Sequence, residues 1–296
     1  MDKIFRNKKA IFLFVFPAFV LFTLILFIPI FQAIYYSFCD YGALGVDATW
    51  IGFKNYVVLF TQDDKMIWAL KNSIFFMIFS SITQQIFGFF TAILLTNIKV
   101  GRNFFKNIYY LPCVLSSAAL GLLWAFLFMP KTGINNLLPD GVKGPNWMSD
   151  VTGFIPLPIW VISFVALWQY VGQNMMLYMA QITGISKDLY EAAYIDGANK
   201  SQAAWYITVP LSKPMLKTTL SLNCIGSLKF FDLVYNMTQG GQPAGRTHVL
   251  ATHLYQMGFE NNKLGYSAAI SVILLVMCLV VTVVIDKAIQ AETYEG

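Results

Sequence analysis

In the apolar stretch 215–237, Asn223, Ser227 and Phe230 are spaced i, i+4, i+7 and share one face of a helix. In the stretch 156–182, Gln169 and Gln173 are spaced i, i+4, with Trp168 and Tyr170 beside them. Amides and hydroxyls exchange hydrogen bonds with hydroxyl groups, and ring faces pack on C–H faces, so this mixture suits contact with a carbohydrate. The same residue types also join helices to one another inside bundles. Lys229 and Asp232, three residues apart, can pair on one side of a helix and lower the cost of burying charge in an apolar segment, or they can touch a solute.

Other chemistries are excluded by what the chain lacks. No Gly-Lys dipeptide occurs, so the phosphate-cradling G-x-x-x-x-G-K-[ST] loop is missing and this polypeptide does not hydrolyse ATP by that route. Neither H-E-x-x-H nor G-x-S-x-G is present. His248 and His253, five residues apart, are awkwardly placed to share a metal on one helical face and read as surface residues near the membrane. Cys39, Cys113, Cys224 and Cys278 have no C-x-x-C spacing and read as small apolar fillers, not as a zinc site or a disulfide framework. The net charge of +5 comes from Lys and Arg scattered over short loops with no basic face, which sets nucleic acid aside.

The elements that must position these residues are membrane helices. Of 296 residues 57% are hydrophobic and only 12% charged, whereas soluble domains carry roughly a quarter of their residues charged. Uncharged runs exceed the roughly 20 residues that cross a bilayer, which predicts an all-α integral membrane protein. Six spans are expected, at about 10–38, 68–97, 107–130, 156–182, 215–237 and 264–286, between a cytoplasmic N-terminus over 1–9 and a cytoplasmic tail over 291–296. The fifth is the weakest on hydropathy because it contains Lys229 and Asp232. The first run, behind Lys3, Arg6, Lys8 and Lys9, continues through Pro29 to Tyr35 and Tyr36 without a small-residue cleavage site, so it is expected to stay as a helix rather than act as a signal. Twelve of the 20 Lys and Arg fall on loops sharing a side with the N-terminus and six on the opposite side, which predicts both termini in the cytoplasm. In the outer loops, Trp50 to Phe60 suits a short surface helix, and Trp147 is expected to tuck back onto the bundle.

The longest inner loop, 184–214, reads as helix, turn, helix. Ser186 can cap a first helix with Asp188 in its opening turn, and Gly197 can end it in the left-handed conformation. Ser201 can cap a second helix, which Pro210 and Pro214 end. Leu189, Ala192, Ala193 and Ile195 form an apolar strip beside Asp188 and Glu191, with small side chains that permit close approach by another backbone. A mere connector could be shorter and more polar, so this hairpin is expected to dock into something.

Glu191-Ala192-Ala193, three residues, Gly197, a spacer and then Ile207-x-Val209-Pro210 resembles the EAA loop of the inner-membrane permease subunits of binding-protein-dependent ABC importers, in the carbohydrate branch that includes the maltose-type permeases. Gly101-Arg-Asn-Phe-Phe-Lys106, Leu111-Pro112, Trp124, Trp147-Met-Ser-Asp150, Phe231-Asp232 and Thr238-Gln-Gly-Gly241 are similar to further landmarks of that family. Two departures stand out: Gln242 separates Gly241 from Pro243 where the family usually has Gly-Gly-Pro, and the additional N-terminal spans and large outer domain of some members are missing.

The resemblance implies a type I ABC importer permease fold (MetI-like) in a bacterial cytoplasmic membrane. It implies a coupling loop in which Glu191, Ala192, Ala193, Asp196, Gly197 and Pro210 engage an ATPase subunit. The implied partners are a second homologous permease subunit, two ATPase subunits that use ATP and Mg, an extracellular solute-binding protein, a carbohydrate substrate and the lipid bilayer. No cofactor is expected on this chain. The alternatives are a permease for a non-sugar solute, a membrane-embedded scaffold, and an ion-coupled secondary transporter; the last would be expected to show inverted repeats and broken helices, neither of which is evident in the sequence.

Overall fold

The computed structural model describes residues 8–42, 47–98, 100–130, 133–139 and 142–289. The expected cytoplasmic ends 1–7 and 290–296, with Lys3 and Arg6, and the loop cations Lys99 and Lys131 lie outside the described residues. The chain divides into two compact units, Met1–Asp63 with Leu254–Ile273, and Asp64–His253 with Leu274–Gly296.

In the first unit, α1 (Lys8–Phe22) runs through a π-helical turn, Thr23–Phe27, into α2 (Ile28–Ser37). The wide turn directly precedes Pro29. Proline supplies no N–H to close the next ordinary turn, and the Ile28 N–H reaches back to the Thr23 carbonyl. None of the most apolar window of this helix is buried. A two-stranded antiparallel hairpin follows, β1 (Cys39–Asp40) with β2 (Thr49–Trp50), then the expected short helix α3 (Lys54–Thr61). The buried Asn55 amide fastens α3 by donating to the carbonyls of Ser37 and Cys39, both at 2.9 Å.

The second unit holds α4 (Asp64–Asn97), α5 (Arg102–Val114), α6 (Ser117–Leu127), α7 (Leu157–Thr183), α8 (Lys187–Ile195), α9 (Lys200–Ala203), α10 (Val209–Leu211), α11 (Lys213–Leu228) and α12 (Asp232–Thr238). The last two helices, α13 (Leu250–Tyr255) and α14 (Leu264–Ala288), each contribute to both units. In α4 the buried residues combine a small and polar stripe, Asn72, Ser73, Ser80, Ser81, Gln84, Gln85 and Gly88, with the apolar Met66, Phe76 and Leu95, while Ile67, Ile74, Ile78, Ile82, Ile86 and Phe90 face outward. The stripe suits a helix in hydrocarbon, since lipid solvates Ile and leaves amides to find partners inside. Helices cross where side chains are absent: a Cβ on Gly172 of α7 would fall 2.0 Å from the Tyr109 carbonyl oxygen of α5, and one on Gly88 of α4 would fall 2.6 Å from the Asn174 Cβ.

Two expected spans are broken. The third is interrupted at Leu115 and Ser116, where the backbone leaves the helical region three residues beyond Pro112, and α5 and α6 meet at 91°. The fifth is interrupted between Leu228 and Asp232. Among the described residues three helices, Ile11–Ser37, Asp64–Asn97 and Leu264–Ala288, are long and apolar enough to cross a bilayer, or four spans if α5 and α6 count as one.

The histidines correct the sequence expectation, since His248 and His253 are 1% and 0% exposed, with ring centroids 5.3 Å apart. Two tethers draw their segment inward. The buried Asn72 amide donates to the carbonyls of Arg246 and His248 at 2.8 and 2.9 Å, and the Leu250 N–H donates to Ser73 Oγ at 2.8 Å. Gly241, at φ +95°, lies against the His248 ring, where any Cβ would sit 2.3 Å from it. Trp147 behaves as expected: it packs on the core and donates to Asn135 Oδ1 at 2.7 Å.

Gly172→Ala is expected to destabilise the detergent-solubilised protein by at least about 2 kcal/mol, because a backbone carbonyl cannot yield to the added methyl. Gly226→Ala on α11, where a Cβ meets nothing within 4 Å, is expected to leave the melting temperature unchanged or slightly raised. Thermal unfolding of the two variants beside the wild type checks both.

Candidate functional site

A cavity of about 230 Å³ lies in the second unit between α4, α7 and α11. Tyr170, Gln173, Asn223, Ser227 and Phe230, all expected from the sequence, line it, together with Phe76, Gln84, Ala166, Leu222 and Gly226. The break after α11 helps to build it. Phe230 lies in the gap, stacked on Phe76 at 5.0 Å between ring centroids and edge-on to Tyr170 at 5.9 Å. One wall is therefore aromatic.

The amides Gln84, Gln173 and Asn223 line the cavity too, and the buried Asn174 behind them joins the network. Asn174 and Asn223 exchange side-chain hydrogen bonds, Nδ2 of each donating to Oδ1 of the other at 3.3 and 3.1 Å, and Asn174 Nδ2 also donates to Gln84 Oε1 at 3.1 Å. Beside them Tyr178, Gln85 and Thr219 share a second buried cluster, in which Thr219 Oγ1 donates to Gln85 Oε1 at 2.9 Å. Sequence reading missed Gln84, Asn174 and Phe76. The signal was present in the spacing Ser80, Gln84, Gly88 and Ser81, Gln85, a polar stripe at i, i+4 within an apolar helix.

Trp168 and Gln169 stand apart from the cavity. The Trp168 ring packs edge-on against Trp124 at 5.5 Å, and Gln169, 1% exposed, donates to Ser117 Oγ at 2.9 Å. Both hold α7 to α6, the structural role such residues also have in bundles. Lys229 and Asp232 correct another expectation. The first closes α11 and the second opens α12, so they do not share a continuous helical face, and both are exposed. Lys217 instead pairs with Asp286, at 2.6 Å.

The loop 184–214 forms the expected hairpin. Ser186 Oγ accepts from the Asp188 N–H, and α8 ends in a Schellman motif, with Ala198 N–H on the Ala193 carbonyl at 2.9 Å, Gly197 N–H on that of Tyr194 at 3.1 Å, and Gly197 at φ +86°. The second helix is capped by Asn199 and not Ser201: the Asn199 side chain accepts from the Gln202 N–H, and the Gln202 side chain accepts from the Asn199 N–H. Pro210 does not end it. A π-helical turn, Ala204–Thr208, precedes Pro210 as one precedes Pro29, and the helical path continues to Leu211, with Pro214 in the first turn of α11. Glu191, Ala192, Asp196 and Pro210 are exposed, Ala193 is half-buried, and Ile195 is 86% exposed. Trp205 and Tyr206 are exposed as well.

Residues 73–290 match the family model described as binding-protein-dependent transport system inner membrane component. A probable ABC transporter permease protein of Bacillus subtilis, YurN, is 34% identical over 93% of this chain and 94% of its own. The arabinooligosaccharides transport system permease protein AraP of the same organism is 31% identical over 100% of this chain and 93% of its own. Among solved structures, a chain of a bacterial alginate ABC transporter in complex with an alginate pentasaccharide-bound periplasmic protein superposes with a TM-score of 0.79 at 23% identity, over 97% of this chain and 95% of that one.

Asn174→Ala removes the amide bridging three helices and leaves Gln84 Oε1 and the Asn223 amide without that partner. It is expected to cost about 1–2 kcal/mol, read as a lower melting temperature, and Asn174→Ala with Asn223→Ala is expected to cost less than the sum of the two single changes.

Proposed function

The chain belongs to the binding-protein-dependent transport system inner membrane components, and from that premise we propose that it is the transmembrane subunit of an ATP-driven importer for a neutral sugar or oligosaccharide. One observation carries the substrate class: the cavity is lined by amides, hydroxyls and aromatic rings, and by no Lys, Arg, Asp, Glu or His. An ion or a charged solute would be left there without a counter-charge. A polyhydroxylated neutral solute would find donors, acceptors and ring faces there.

In this reading the hairpin α8–α9 is the coupling element. Ile195, Ala192 and Leu189 offer an exposed apolar strip to a groove of an ATPase subunit, flanked by Glu191 and Asp196, and Pro210 closes the motif. Closure of two ATPase subunits on ATP and Mg pulls two such hairpins, one from this chain and one from a second permease, and turns the paired bundles from inward-open to outward-open. An extracellular binding protein delivers the solute.

The reading takes six spans, with α1–α2, α4, α5–α6, α7, α11–α12 and α14 each crossing once and both termini cytoplasmic. The amides of α7 and the break between α11 and α12 lower the hydropathy of those crossings because these helices form the solute path. Broken helices, expected from the sequence only of an ion-coupled carrier, are present here. They do not favour that rival, because the cavity holds no carboxylate to carry a coupling ion.

Glu191→Lys is expected to lower ATP-dependent uptake by the reconstituted complex by on the order of tenfold or more, and vanadate is expected to abolish it. Ser227→Leu, which fills the cavity, is expected to lower uptake while leaving the melting temperature close to wild type. Uptake that survives both Glu191→Lys and vanadate would reject ATP coupling.

A further inference from the structure

A second cavity, of about 390 Å³, opens in the second unit where the ends of α4, α5 and α7 meet the hairpin α8–α9. Arg102, Lys187 and Lys200 line it, and no Asp or Glu does. Among the described residues none of these three cations is in an ion pair. The acids of the hairpin, Asp188, Glu191 and Asp196, do not line the cavity, to which α8 contributes Lys187, Tyr190 and Tyr194.

Three uncompensated cations around one cavity repel each other. Each is moreover the first residue of its helix, where positive charge opposes the helix dipole instead of complementing it. An anion seated between them would relieve both effects. The guanidinium of Arg102 can present two N–H groups to two oxygens of one anion, while the lysines supply point charges. The remaining lining is of two kinds, with Thr96, Asn97 and Thr183 as neutral polar groups and Ile93, Ile182 and Ile185 as an apolar wall.

We propose that this basic cavity binds a phosphate oxyanion, supplied either by the headgroup of an anionic phospholipid or by soluble phosphate. The apolar wall beside the cations, on helices whose outer faces are aliphatic, suits a headgroup whose acyl chains run along the bundle. Occupancy would brace the hairpin against the ends of α4 and α5, where at present Tyr190 Oη and Thr208 Oγ1, 2.9 Å apart, join its two arms. The proposal concerns binding and stands whether or not the hairpin couples to an ATPase.

Native mass spectrometry of the full-length protein in detergent, offered equal phosphatidylglycerol and phosphatidylcholine, tests it. The wild type is expected to retain phosphatidylglycerol preferentially. Lys187→Gln and Lys200→Gln, at exposed positions, are each expected to reduce that preference by about fivefold, and the triple variant with Arg102→Gln to abolish it. The charge-conserving set Arg102→Lys, Lys187→Arg and Lys200→Arg is expected to keep it, as is Lys213→Gln outside the cavity. Retention that persists in excess inorganic phosphate assigns the site to lipid; displacement, with saturable phosphate binding lost in the triple variant, assigns it to a soluble anion. No preference and no phosphate binding in the wild type, or equal retention by the wild type and the triple variant, would overturn the proposal.

Discussion

Amide and hydroxyl groups on the inner faces of the helices, lying beside a buried apolar core that includes Phe76, Ile159, Ile162 and Leu233, set the terms for the second unit. Hydrocarbon provides no drive to bury Ile or Leu, so helices associate through close backbone approach and through hydrogen bonds that have nowhere else to form. Gly172 against α5 and Gly88 against Asn174 supply the first. The Asn174, Asn223 and Gln84 cluster supplies the second. The same cluster borders the cavity, so the groups that hold α4, α7 and α11 together also shape the surface a solute would meet.

The breaks in the third and fifth expected spans belong to the same logic. An interrupted helix frees backbone groups, which are tolerated at membrane depth where they are enclosed by protein or line a cavity. At the end of α11 the interruption sets the Phe230 ring between Phe76 and Tyr170 and puts Lys229 and Asp232 on separate helices. Proline is handled by a different local device in α1–α2 and α9–α10, where a wide turn ahead of Pro29 and Pro210 lets the helical path go on.

The hairpin at 184–214 is organised by its own caps, and its two sides differ in chemistry. On α8, Leu189, Glu191, Ala192 and Ile195 are exposed, whereas Lys187, Tyr190 and Tyr194 of the same helix line the basic cavity.

Local signals were legible in the sequence wherever chemistry depends on neighbours along the chain. The Ser186 cap, the Gly197 terminus and the i, i+4, i+7 face of Asn223, Ser227 and Phe230 all follow from helical periodicity and backbone preference, which act over a few residues. Tertiary contacts decided the rest. His248 and His253 are buried because Asn72 and Ser73, more than 170 residues earlier, claim the backbone beside them. Trp168 and Gln169 became struts while their neighbours Tyr170 and Gln173 line the cavity, because adjacent residues on a helix point about 100° apart and only the placement of α6 and α11 tells which direction is outward. Residue type and spacing determine what a side chain is able to do, whereas the partner that it meets is set by helices brought together from distant parts of the chain.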